Sequence, residues 1–99
     1  MERRVCHRSI VVAAAGQVSC DLAGEAVILD IQPGIYYGLN AIGARIWQLI
    51  QEPKSVDEVR NALIKEYEVE PDRCERDLLA LLQELATKGL IEVKDEAVA

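Results

Sequence analysis

Between residues 18 and 50 the spacing of apolar side chains changes once. Up to Leu39 the pattern is that of strands, and after Asn40 it becomes that of a helix. Ile35, Tyr37 and Leu39 alternate with Tyr36 and Gly38, which is the period of a pleated, half-buried strand. Ile42, Ile46, Leu49 and Ile50, with Trp47 beside them, recur at helical spacing, and Asn40 has the side chain of an N-cap. One strand therefore runs directly into one helix. Residues 34–47 form the joint around which the rest of the chain is expected to pack.

Upstream of the joint, residues 18–22 and 25–31 read as two further strands, with Ala23-Gly24 as a tight turn between them. Gln32-Pro33-Gly34 is a stronger turn, because proline presets φ and glycine accepts a positive one. The prediction is a three-stranded antiparallel meander ending at Asn40. Residues 9–15 are apolar without alternation, and an extra edge strand, a partner-binding arm and a frayed end all remain open for them. Downstream, Glu52-Pro53-Lys54 interrupts the helical pattern and Ser55-Val56-Asp57-Glu58 restarts it as a capping box. Val56, Val59, Leu63 and Tyr67 share one face of this second helix. Glu70-Pro71-Asp72 opens a third, Cys74, Leu78, Leu81, Leu82 and Leu85 form its apolar stripe, and Lys88-Gly89 ends it. Residues 90–93 read as a short tail strand or an extended apolar clasp. The class is α+β: a three-stranded antiparallel sheet packed on three helices, in a winged-helix-like order. Residues 1–17 then form a flexible or extra-strand arm, 18–93 the domain and 94–99 a tail.

Charge narrows the choice of partner. The chain carries a net charge of -6 over 99 residues, and the acids and bases of residues 1–51 balance. The whole deficit lies in the helical half, which argues against a phosphate-binding surface and for a basic or neutral partner. Cys6, Cys20 and Cys74 are widely spaced with no CxxC pair, so neither a disulfide framework nor a zinc site is expected. Arg3, Arg4 and Arg8 before a short apolar run imitate a signal peptide, but that run is too short and leads at once into strand-like sequence. A cytoplasmic protein with no membrane span is expected.

Catalysis is not indicated. His7 is the only histidine and lies in the arm, and the cysteines lack a context that would activate a thiolate. The carboxylates from Asp57 to Asp77 sit where they cap or solvate helices. Gly34, Gly38 and Gly43 do not have phosphate-binding spacing, and no cofactor or metal is expected. Binding has a route, because a sheet of so few strands is largely edge, and an edge strand offers unpaired N–H and C=O groups to an extended peptide. With the third strand at the edge and the third helix alongside, the two would form a groove. Leu39 reads as core, whereas Tyr36 alternates to the opposite face as an exposed contact.

The residues Ala26-Val-Ile-Leu-Asp30, Gly34-x-Tyr36-Tyr37-x-Leu39-Asn40-x-x-Gly43-Ala44-x-Ile46-Trp47, Ser55-Val-Asp-Glu58, Tyr67-x-Val69, Asp77-Leu-Leu-x-Leu-Leu and Gly89-Leu90-Ile91 together resemble the PqqD-like family of peptide chaperones, the RiPP recognition elements. The resemblance spans residues 18–93 and is strongest to the stand-alone members of lasso-peptide clusters. It implies a non-catalytic domain that binds the leader segment of a ribosomally made precursor as an added strand and passes it to a modifying enzyme or leader peptidase. Ile35, Tyr36, Tyr37 and Leu39 would be the strand contacts, and Arg73, Asp77, Leu81 and Glu84 the helix contacts. The arm before Val18 departs from the family pattern and leaves room for a further strand or a homodimer contact. Two other readings stand beside this one. A winged-helix DNA-binding regulator would need a basic third helix, yet Arg73, Arg76 and Lys88 face Glu75, Asp77 and Glu84 there. A non-catalytic subunit that stabilises a larger enzyme would need no peptide at all.

Overall fold

The period-2 segments and the helical segments occur where the pattern puts them, with one additional sheet. A computed structural model describes residues 5–6, 8–22, 25–31 and 34–94. Among these the order is β1 (Ile10–Ala13), β2 (Gln17–Leu22), β3 (Glu25–Asp30), β4 (Ile35–Leu39), α1 (Ala41–Leu49), β5 (Lys54–Ser55), α2 (Val56–Glu66), α3 (Pro71–Thr87) and β6 (Ile91–Lys94). The expected Ala23-Gly24 and Gln32-Pro33 turn residues, His7, and the tail beyond Lys94 lie outside the described residues. Gly34 does adopt the positive φ foreseen for it, +68°.

The meander is antiparallel in the order β2-β3-β4. Its register pairs Ala26 with Leu39 and Ile28 with Tyr37, and Ala26, Ile28 and Leu39 are all buried. α1 packs on β3 and β4 and touches α2, while α3 packs on α2 and β6. Buried Val59 and Leu63 of α2 and buried Leu78, Leu82 and Leu85 of α3 belong to one core with the sheet residues.

The second sheet has the order β5-β1-β6. Residues 9–15, for which an edge strand, an arm and a frayed end were all open, therefore contain a middle strand with a neighbour on each side. The physical reason is that four-residue β6 and two-residue β5 are each too short to form a sheet alone, and β1 pairs with both. Val11 is fully buried there, with Leu90, Ile91 and Val56 in the same core. Backbone bonds tie β1 to the rest of the chain: the Ala13 amide donates to Ile50 (2.8 Å), the Ala14 amide to Leu90 (3.0 Å) and the Val56 amide to Ser9 (2.9 Å). Gln17 joins the two sheets, its Nε2 donating to the carbonyls of Ala14 and Leu90. The folded unit thus begins before Val18, and a homodimer contact by the arm would have to lie outside Ile10–Ala13.

The caps are the ones foreseen. The Gly43 amide donates to Asn40 Oδ1 at 2.9 Å. In the capping box the Glu58 amide donates to Ser55 Oγ at 3.1 Å and the Ser55 amide to Glu58 Oε1 at 3.0 Å. The bond from the Ser55 amide, and after it the Ser55 hydroxyl, hold the Glu58 carboxyl below its ordinary value. A carboxyl whose pKa falls on folding stabilises the fold above its unfolded pKa of about 4.3, and that contribution is lost as the pH drops through the folded value. Glu58→Gln is therefore expected to lower the urea midpoint at pH 7 and to flatten its dependence on pH, so that variant and wild type converge as the pH falls below about 4.3.

Candidate functional site

β4 pairs with β3 on one side, and among the described residues no strand pairs with its other side. About half of the amides and carbonyls of its five residues face away from β3 and can meet an added strand. Beside that edge lies a groove of about 790 Å³. Gly38 and Leu39 contribute the strand wall, Asn40, Ile42, Gly43 and Ile46 the first turns of α1, and Leu63 and Tyr67 the end of α2. Residues 68–70 form one rim, and Arg73, Cys74, Asp77, Leu78 and Leu81 of α3 face the strand.

The local sequence explains this shape. At Asn40 the chain leaves the sheet and turns at once into α1, so the strand end and the first helical turn share one corner. Gly43 keeps that corner tight, because a Cβ there would sit 3.2 Å from Leu39 Cβ and 3.4 Å from Asn40 Oδ1. Ile42 is 41% exposed. The buried face of α1 is Gly43, Ala44, Ile46 and Trp47, so Ile42, expected in the helix stripe, belongs to the groove instead. Tyr67, expected on the buried face of α2, is the C-cap with extended backbone (φ −126°, ψ 144°) and is half-buried in the groove wall. Gly43→Ala gains helix propensity of about 1 kcal/mol but forces two backbone-anchored atoms apart. A net loss of about 1 kcal/mol in urea unfolding is expected.

Four of the eight predicted contact residues line this groove: Leu39, Arg73, Asp77 and Leu81. Of the leucines left open, Leu78 and Leu81 face it while fully buried Leu82 does not. Tyr37 and Glu84 lie farther along the same seam and are linked by Lys88, whose Nζ is 4.9 Å from the Tyr37 ring centroid and 3.2 Å from Glu84 Oε1. Ile35 is 47% and Tyr36 69% exposed on β4. The period-2 alternation sends Tyr36 to the face of the sheet opposite Tyr37 and Leu39. The residues missed by the sequence reading come from α1, the end of α2 and the 68–70 rim. The one signal for them was Tyr67-x-Val69, apolar side chains separated by acids in a connecting segment.

The chemistry of the groove is that of packing and charge. Desolvation pushes the Cys74 thiol up from its ordinary value, which disfavours the thiolate a nucleophile needs. No disulfide joins Cys6, Cys20 and Cys74. Among the described residues no group of three or more His, Cys, Asp or Glu is placed to hold a metal ion, and no helix is long and apolar enough to cross a membrane.

Comparison with protein families matches residues 25–91 to the family described as coenzyme PQQ synthesis protein D (PqqD). The chain belongs to the PqqD family. This PqqD-family chain is similar to the solved structure of TbiB1 in complex with the TbiA(beta) leader peptide. The identity is 41% and the TM-score 0.76, over 82% of this chain and 94% of that one. It is also similar to a lasso peptide synthetase B1 complexed with the leader peptide, at 30% identity and TM-score 0.73 over 83% of this chain and 96% of that one. Comparison with curated proteins gives no match. The family match begins at β3, so β1 and β2 lie outside it.

Proposed function

We propose that this chain binds the leader segment of a ribosomally made precursor peptide as an added strand on β4 and presents it to a modifying enzyme or leader peptidase of lasso-peptide type. It does so without catalysis, in the reducing cytosol that three cysteines outside any disulfide suit. The observation that carries this reading is the open β4 edge lying against an apolar groove. The two similar structures, both of which hold a leader peptide, support it.

The energetics are adequate. Each ladder hydrogen bond contributes a net 0.5 to 1.5 kcal/mol, roughly. Two or three apolar side chains seated on Leu39, Ile42 and Leu81 would add about 1.5 to 3 kcal/mol each. Ordering a flexible peptide offsets part of that sum, which leaves affinity of about micromolar or tighter. Ile35, Tyr36, Tyr37 and Leu39 are the proposed strand contacts, and Arg73, Asp77, Leu81 and Glu84 the proposed helix contacts. A DNA-binding role has no such support, since the exposed face of α3 pairs Arg73 with Asp77 (3.9 Å) and Lys88 with Glu84.

Calorimetric titration with a synthetic leader from the precursor encoded beside this gene tests the reading. Saturable one-to-one binding is expected, with a scrambled peptide inert; no binding to any locally encoded leader would refute it.

A further inference from the structure

The acids near the groove are of two kinds. Asp77 is 3.9 Å from Arg73, Glu66 2.9 Å from Arg45, Glu75 4.0 Å from Arg60 and Glu84 3.2 Å from Lys88. These pairs engage Arg45, Arg60, Arg73 and Lys88. Glu68 and Glu70, which border the groove itself, have no cationic partner among the described residues.

Their position follows from the local chain. α2 ends at Glu66 and α3 begins at Pro71, so residues 67–70 cross between helices outside any regular element, with a tight turn at Glu68 closed by the Val69 amide donating to the Tyr67 carbonyl at 2.9 Å. Exposed Glu68 and Glu70 both line the rim of the groove, on either side of half-buried Val69. Glu70 is also the N-cap of α3 but makes no side-chain capping bond, so its carboxylate is available to a guest. The floor below is apolar, built by Leu39, Ile46 and Leu78. A guest charge held above such a floor feels these carboxylates more strongly than one in open water.

We infer that the groove selects a peptide with a basic side chain next to the residue seated on the apolar floor, and that Glu68 and Glu70 receive that base. The inference rests on the peptide-binding reading above and adds specificity to it. Strand addition alone is indifferent to sequence, because backbone groups are common to all peptides. The rim supplies a choice of register, since sliding the guest by one residue turns its base to the opposite face. It also opposes guests that would bring an acid to the same place.

The test uses the full chain and the leader peptide of the neighbouring precursor, with each position replaced in turn by Lys and by Glu. Binding is measured by fluorescence polarisation to the wild-type protein and to the E68K/E70K double variant. Both residues are exposed, so the variant should keep the wild-type circular dichroism and urea midpoint. At one or two peptide positions Lys is expected to bind the wild type roughly tenfold or more better than Glu, with the preference reversed in the variant; each single exposed pair accounts for about two- to fivefold. The wild-type preference should also shrink between low salt and about 1 M, as screening requires. Equal Lys and Glu profiles for the two proteins would overturn the inference while leaving peptide binding intact. No binding of any peptide to the wild type would instead overturn the reading on which it rests, and the inference with it.

Discussion

A chain that starts at Val18 is expected not to fold. Such a chain lacks β1, so β5 and β6 lose the strand between them, and Leu90, Ile91 and Val56 lose Val11 as a neighbour. It also lacks the Ser9 carbonyl, which accepts from the Val56 amide, and the amides of Ala13 and Ala14 and the side chain of Gln17, which donate to the carbonyls of Ile50 and Leu90. A 99-residue domain has a net stability of only about 5 to 15 kcal/mol, and this set of losses exceeds that range at its lower end. Far-ultraviolet circular dichroism during urea titration should show no cooperative transition for the truncated chain. In the full chain, Val11→Ala should lower stability by roughly 2 kcal/mol, the usual cost of a small cavity at a fully buried site. A truncated chain that melts at the full-length midpoint would show that the second sheet is an accessory.

Leu81→Glu is expected to abolish peptide binding at unchanged fold. Leu81 is half-buried and faces the groove, one helical turn from Asp77 and about 100° around the helix from fully buried Leu82. In the free protein a carboxylate there can reach water at modest cost. In the complex it would lie under the guest chain, away from water and without a cation, a penalty of several kcal/mol. A loss of affinity of about 100-fold or more is expected, with a shift in stability below about 1 kcal/mol. Tyr36→Ala makes a useful contrast, since Tyr36 projects to the face of the sheet away from the groove, and a several-fold loss is expected for it. Equal effects of the two substitutions would place the guest's main contacts elsewhere.

The parts of this fold that were legible in the sequence are those governed by local rules. The change of period at Asn40 marked the end of β4 and the start of α1, and the Ser55 to Glu58 capping box marked α2. Gly34 was read as a residue able to take positive φ, and it does. The second sheet was not legible, because β1 is apolar on both faces and β5 has two residues. Neither carries a period, and their pairing is decided by partners about 45 to 80 residues away in sequence. The groove was legible on its strand and α3 walls. Its α1 wall was hidden because Ile42 fits the helical stripe by spacing, and only the corner at Gly43 turns it outward. Its 68–70 rim was hidden because a connecting segment has no periodicity to read, although the Tyr67-x-Val69 pair was visible.

The central claim is that β4 lends its free edge to a guest strand. The most direct measurement is a nuclear Overhauser experiment on isotope-labelled protein saturated with unlabelled leader peptide, reading cross-strand contacts from the peptide backbone. The account predicts a continuous run of such contacts to Ile35–Leu39, with side-chain contacts to Leu39 and Leu81. Contacts that run instead along the outer edge of β2, or none to either edge, would contradict it.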